Sequence, residues 1–356
     1  YSGDDKYDKS TVNGTIKVNK KAATLIVEDL VKYYKGDEKL TAKLVDGRGN
    51  PIANADVAFN INGKDYIRKT NNEGIASMNI NLVAGTYNVA VKYNESSVNV
   101  TVTVKSTIVA DDLVKMYQDP TRFYAKFLDS TGKALANTQV RFNINGVFYT
   151  KTTNNDGVAD LGIMLRPGIY ILTAYNPANG EERGITITVK SLIVQSDLTK
   201  YYLNASRFQA TIYNKDGSLA VNKEVTFNIN GVFYHKTTDS NGVASLGIAL
   251  RPGEYIITTI VDGLDIGNKV TVIPTLVTKD LDMKYLDGSD FTAQTLDGQG
   301  NPLANQNVSF NVNGVFYHKV TDKDGIASLK IRLMSGEYII TSYWNNFQTG
   351  NTIKIA

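Results

Sequence analysis

Phe142-Asn143-Ile144-Asn145-Gly146-Val147-Phe148-Tyr149 decides the fold. An Asn-Gly pair stands between two runs in which apolar and polar residues alternate. A two-residue type I′ turn needs positive φ at both central positions, which Asn and Gly tolerate best, so the stretch predicts a tight β-hairpin. The string recurs. Phe59–Gly63, Phe142–Gly146 and Phe227–Gly231 all read Phe-Asn-Ile-Asn-Gly, and Phe310–Gly314 differs only at Val312. The copies start 83, 85 and 83 residues apart. That exceeds the roughly 20–50 residues of solenoid and propeller repeats, so each unit is large enough to bury its own core.

Outward from the hairpin, every copy repeats one plan. It opens with an apolar run: Leu25-Ile26-Val27, Ile108-Val109, Leu192-Ile193-Val194, Leu276-Val277. Asp29, Asp112, Asp197 or Asp280 follows, then Tyr34, Tyr117, Tyr202 or Tyr285 five residues on. A strand leads to a Gly turn (Asp46–Gly49, Asp129–Gly132, Asp216-Gly217, Asp297–Gly300) and so to the Asn-Gly hairpin. A polar turn ending in Gly74, Gly157, Gly242 or Gly325 comes next. After one more strand, a tight Gly turn is followed two residues later by Tyr87, Tyr170, Tyr255 or Tyr338, and the copy ends in a last hairpin. About seven short strands with turn signals every 8–12 residues predict an all-β chain of tandem immunoglobulin-like antiparallel β-sandwiches. The Gly-x-Tyr element is similar to a tyrosine corner, in which the hydroxyl bonds back to nearby backbone.

The expected domains are residues 24–106, 107–191, 192–274 and 275–356. Residues 1–23 match the end of a repeat: Asn13-Gly14-Thr15-Ile16-Lys17-Val18 resembles the stretch that runs from Tyr93-Asn94 to Val104. They read as the terminal hairpin of a truncated preceding repeat, or as a donor strand, Tyr1–Val18, for a neighbour's sheet. Val104-Lys105-Ser106 and Val189-Lys190-Ser191 run directly into the next copy, with no Gly/Ser-rich linker. An extended, semi-rigid rod is therefore expected.

Composition narrows the function. With 42% hydrophobic residues, 21 Tyr and 12 Phe among 356 residues, the chain has ample material for packed cores. A net charge of +3 with no concentrated basic run argues against nucleic acid; the densest cluster is Lys17, Lys20 and Lys21. The absence of Cys excludes thiol chemistry, zinc–thiolate sites and disulfides. No apolar run in this segment is long enough for a membrane-spanning helix.

Several motifs carry a family resemblance. Gly300-Asn301-Pro302-Leu303-Ala304 leading to Phe310, Thr237-Thr238-Asp239 leading to Gly242-Val243-Ala244, and Gly253-Glu254-Tyr255 resemble the bacterial Ig-like domains of invasin and intimin type. Phe-Asn-Ile-Asn-Gly-Val-Phe-Tyr and Leu-Arg-Pro-Gly-x-Tyr (Leu165–Tyr170, Leu250–Tyr255) look like the repeats of archaeal adhesin-like proteins from methanogens. The first copy departs, with Lys64-Asp65 for Val-Phe and Val83-Ala84 for Arg-Pro. The resemblance implies an exported, extracellular cell-surface protein that acts in cell adhesion. It names no ligand.

Candidate sites are few. His235 and His318 occupy equivalent positions, where the first two copies have Ile67 and Thr150, so no catalytic residue and no enzyme are expected. No cofactor is expected either. Ca²⁺ at the domain junctions would have to use Asp29, Asp112, Asp197 and Asp280, with Asp111-Asp112 and Asp322–Asp324 as the densest clusters, and no Asp ladder supplies the six or more oxygens required. Lys32, Lys115 and Lys200 align as conceivable isopeptide donors, but the fourth copy has Met283 there, with Lys284 one residue out of register.

Phe148, Phe233 and Phe316 should point outward while Val147 and Tyr149 point inward. They read either as buried against their own sheet or the next domain, which the short connections favour, or as an interaction stripe. Asn13, Asn94, Asn99, Asn204 and Asn307 head Asn-x-Ser/Thr sequons, the marks of a glycoprotein. Three functions are expected in this order: an adhesive stalk, a subunit of a surface filament, and a glycan-binding array resting on Trp344 and Tyr343. The partners would be other cells, surface proteins or glycans, or further copies of the chain.

Overall fold

The computed structural model describes residues 2–15 and 22–356. The chain divides into two compact units. One holds the first two sandwiches apart from the segments Lys115–Asp119 and Met164–Gly168; the other holds those segments and everything from Val189 onward.

The first sandwich sets the pattern. Its strands are β1 (Thr24–Val27), β2 (Leu30–Tyr33), β3 (Lys39–Val45), β4 (Asp56–Ile61), β5 (Lys64–Lys69), β6 (Ile75–Asn79), β7 (Gly85–Tyr93) and β8 (Ser96–Lys105). One sheet has the order β1-β3-β6 and the other β2-β8-β7-β4-β5. The same three-plus-five arrangement is found four times among the described residues. Each copy therefore has eight strands rather than about seven, and one pairing is parallel: β2 runs alongside β8, as Leu198–Tyr201 runs alongside Leu264–Ile273 and Leu281–Met283 alongside Phe347–Ile355. The extra strand is β2, the stretch between the recurrent Asp29 and Tyr34, to which the sequence reading gave no strand of its own. β1 joins the small sheet through β3, the chain turns at Asp29, and β2 joins the large sheet.

Strand periodicity explains the core. β4 alternates outward and buried residues, which places Phe59 at the centre. Phe142, Phe227 and Phe310 are equally buried. Each meets a second ring edge-on, in the geometry that ring quadrupoles favour: Phe123–Phe142 at 5.7 Å, Phe208–Phe227 at 5.9 Å and Phe291–Phe310 at 5.8 Å. In the first copy Leu40 stands where these partner rings stand. The hairpin turns have the expected backbone, with φ of 52° and 79° at Asn62-Gly63 and 53° and 78° at Asn145-Gly146.

The turn before each buried Ala also has a steric cause. A Cβ on Gly74, at φ +75°, would lie 2.5 Å from the Leu44 carbonyl oxygen. The Thr that opens this turn is buried in all four copies. The Thr238 hydroxyl donates to Ala220 O at 2.5 Å and accepts the Lys223 N–H at 2.9 Å, pinning the loop ahead of the Asn-Gly hairpin. Thr70, Thr153 and Thr321 make the same pair of bonds.

At the N-terminus, Asp4 and Tyr7 bridge a turn in which Asp4 Oδ1 accepts the N–H groups of Lys6 and Tyr7; residues 8–15 form no strand. Tyr1 and residues 16–21, on which the donor-strand reading and the Lys17, Lys20, Lys21 cluster largely rest, lie outside the described residues. No described helix is long and apolar enough to cross a membrane.

Candidate functional site: junctions and exposed edges

The recurrent Asp belongs to the sheet switch. Asp29 Oδ1 accepts the Thr101 N–H at 2.7 Å and Asp112 Oδ1 the Thr186 N–H at 2.8 Å. Asp197 and Asp280 do the same for Lys269 (2.9 Å) and Thr352 (2.9 Å). Each carboxylate thus holds the middle of the last strand at the residue before the parallel pairing begins. The Asn268 amide and the Lys269 N–H hold the Asp197 carboxyl below the usual carboxylate range. The Thr352 N–H and the Asn351 amide do so for Asp280. Asp322 Oδ1 likewise accepts backbone N–H groups, from Asp324 and Ile326. Among the described residues no three acidic or His side chains converge as a metal would require.

The aligned lysines are interior groups. Lys32, Lys115 and Lys200 are buried, and Met283 is buried at the same position of the fourth copy. Lys32 Nζ donates to the carbonyls of Gly36, Glu38 and Ile80, and Lys200 Nζ to those of Ser206 and Ile248. Burial pushes the Lys115 and Lys200 amines down from their ordinary values, with Asp119 partly opposing the shift at Lys115. Lys32 and Lys200 donate to main-chain carbonyls, not to the carboxamide an isopeptide would need.

The Gly-x-Tyr hydroxyls bond to backbone four residues upstream: Tyr87 to Val83 O (2.8 Å), Tyr255 to Arg251 O (2.8 Å) and Tyr338 to Met334 O (2.9 Å). A Cβ on Gly85 or Gly253 would sit 3.3 Å from that hydroxyl, so the ring lies over the glycine.

The Phe stripe differs from the favoured expectation. Phe148, Phe233 and Phe316 are 53%, 58% and 54% exposed, while Val147 and Tyr149, paired with the buried Ile144 and Phe142, share the inward face as expected but remain partly open to solvent. The reason is sheet width. The facing sheet has three strands and leaves the β5-equivalent edge of the five-stranded sheet uncovered. Phe148 rests on its own sheet, 4.3 Å from the Arg141 guanidinium and 5.9 Å from the Tyr175 ring. Phe316 lies 5.9 Å from Tyr343. His235 and His318 are on the same exposed edge, each Nδ1 beside a hydroxyl, Thr226 or Ser309.

Two kinds of residue escaped the sequence reading. One kind forms the junctions within each unit. The Tyr33 ring lies over Gly132, where a Cβ would come within 2.3 Å of it, and the Tyr201 ring lies over Gly300 at 2.4 Å. Asn204 Nδ2 adds a bond to Gly298 O at 2.6 Å, and Tyr202 packs on Phe347 at 5.8 Å. The aligned Tyr34 series drew notice from the sequence, but its neighbours Tyr33 and Tyr201 make the ring-on-glycine contacts. The other is a buried network in the second copy, where loop 176–181 replaces a two-residue turn. Glu181 Oε2 accepts the Thr107 N–H and hydroxyl at 2.6 and 2.5 Å, and Asn176 donates to Leu128 O.

Of the sequon residues, Asn13, Asn94, Asn99 and Asn307 are exposed, whereas Asn204 is half-buried in the junction just described. Trp344 and Tyr343 are half-buried beside a 370 Å³ cleft.

The chain matches no protein-family profile. It is 23% identical to the inverse autotransporter adhesin YeeJ of Escherichia coli over 387 aligned residues, covering 90% of this chain and 16% of that protein. Among solved structures, the I9–I11 tandem of titin is 16% identical, with 70% of this chain and 98% of that one covered and a TM-score of 0.28. Invasin, a bacterial integrin-binding protein, is 15% identical, with 94% and 79% covered and a TM-score of 0.23.

Proposed function

We propose that this chain is a stalk segment of an adhesin-like cell-surface protein, its sandwiches supplying reach and stiffness to a binding region elsewhere. The observation that carries the reading is the junction chemistry. Tyr33 on Gly132 and Tyr201 on Gly300 fix neighbouring sandwiches within a unit by ring-on-backbone contact, with no flexible linker between them. A similarity that runs through 90% of the chain to 16% of a much longer inverse autotransporter adhesin supports the same reading. In this reading the chain acts by position: the buried Lys200 amine and Glu181 carboxylate are taken up by internal hydrogen bonds. Limited proteolysis of intact cells, followed by mass spectrometry, tests the location. Release of peptides from this chain before cytoplasmic markers is the expected result; release only after lysis rejects the reading.

The open edges favour a second reading, a subunit of a surface filament. Strands Val147–Thr152, Val232–Thr237 and Val315–Val320 each pair on one side only and expose Val-Phe-Tyr. Such edges template pairing with other chains, although a Lys in each works against it. Negative-stain images of native material separate isolated particles from polymers.

A further inference from the structure

We propose that the cleft between the third and fourth sandwiches binds a saccharide that carries a carboxylate. The argument starts from one arginine in two settings. Leu-Arg-Pro-Gly recurs at Leu165–Gly168 and Leu250–Gly253. At the first site Arg166 Nη2 pairs with Asp265 of the third copy's last hairpin, 2.9 Å from Oδ1 and 3.1 Å from the Asp265 carbonyl. In the fourth copy's hairpin the position of Asp265 is held by Gln348. Arg251 lines the same cleft as Gln348 and forms no salt bridge among the described residues. The acid at the hairpin tip is missing as well: Glu95 in the first copy and Asp262 in the third give way to Asn345-Asn346. No acidic side chain lines the cleft. A guanidinium that meets a carboxylate at one junction is therefore left without one at the next. Its planar fork suits a ligand carboxylate.

The rest of the lining fits a sugar. Tyr343, on the same sheet face as Ser309 and Gln348, offers a ring edge to a pyranose, while Trp344 packs on the core side of the hairpin and reports from the cleft wall. The amides of Asn345, Asn346 and Gln348 each offer donors and an acceptor to ring hydroxyls. Asn345 and Asn346, at φ 49° and 62°, hold their amides on a tight turn. At 370 Å³ the cleft falls in the range of about 300–1,000 Å³ that small-ligand sites occupy. Trp344 is the sole Trp of the chain, and its place in the other three copies is taken by Tyr93, Asn176 and Val261. The inference goes beyond the stalk reading, which stands or falls independently of it.

The single Trp makes the test direct. The whole chain is titrated with trigalacturonate, sialyllactose and a hyaluronan tetrasaccharide, with maltotriose and a Glu-rich peptide as comparators, while Trp344 fluorescence is followed. Saturable change with at least one acidic saccharide is expected, tenfold or more tighter than with maltotriose or the peptide. Arg251→Gln should weaken it at least tenfold. Gln348→Asp should do the same by giving Arg251 the partner that Arg166 has, with the melting temperature kept or raised, so that unfolding cannot account for the loss. The proposal is overturned by no response to any acidic saccharide at 10 mM, by binding that survives both substitutions, or by equal binding of maltotriose or the peptide.

Discussion

The Tyr201 ring covers Gly300, so that a Cβ at that glycine would lie 2.4 Å from the ring's Cζ. Gly300 also has φ +87°, a conformation that costs any other residue about 1 kcal/mol, because a side chain crowds the backbone there. Gly49 is the matching residue of the first copy, at φ +89° with nothing within 4 Å of its would-be Cβ. The pair separates backbone strain from junction packing. Gly49→Ala should show the strain alone, whereas Gly300→Ala should add loss of the Tyr201 contact. Calorimetry and proteolysis across Val272–Leu276 provide the readout. Equal effects of the two substitutions would mean that the ring contact contributes nothing.

Asp197 and Asp280 predict acid sensitivity. Their folded-state carboxyls titrate below the ordinary 3.8 because they accept hydrogen bonds when ionised. Stability from a depressed acid is present above the unfolded value and is lost as pH falls through the folded one. Melting temperature should therefore drop below about pH 4, the ordinary carboxylate range. Asp197→Asn should flatten that drop while lowering stability at neutral pH. A pH profile identical to the parent would remove these groups from the explanation.

Lys200 and Met283 occupy one buried position in two copies. Exchanging a buried, imperfectly solvated ammonium for an apolar side chain of similar length is often neutral or stabilising. Lys200→Met should leave the melting temperature unchanged or raised. Met283→Ala should cost about 2–5 kcal/mol, because it leaves a cavity. An intact mass that shows loss of ammonia would instead mean that a lysine is cross-linked.

The Asn204 amide is spent on Gly298 O, and its Oδ1 accepts the Ser206 N–H. If the chain is glycosylated in its host, Asn13, Asn94, Asn99 and Asn307 are the available acceptors and Asn204 is not. Glycopeptide mapping of native material checks this, and a glycan on Asn204 would contradict the junction geometry.

Much of this architecture is local and so legible in sequence. Asn145-Gly146 marks its hairpin because its backbone demand is met by two neighbouring residues, and Gly253-x-Tyr255 because ring and glycine touch. The sheet switch at Asp29 was not legible. The run Leu25–Val27 reads as β1, whereas Leu30–Tyr33 becomes a strand of the other sheet only through its partner β8, far along the chain. Exposure of Val147 and Tyr149 depends on how many strands the facing sheet has, which no alternation pattern encodes. Tyr201 on Gly300 joins residues of different copies, and the second copy has Met116 in its place, so no repeated signal betrays it. The candidate saccharide cleft was visible only in part. Trp344 stood out as unique, but the loss of an acid opposite Arg251 became apparent once Arg166 was seen paired.

Small-angle X-ray scattering of the whole chain tests the central claim most directly. A stalk of stacked sandwiches, each contributing roughly 35–40 Å from strands rising about 3.3 Å per residue, predicts a maximum dimension near 150 Å and an elongated distance distribution. A radius of gyration of about 20 Å, the value for a compact 356-residue globule, would contradict it.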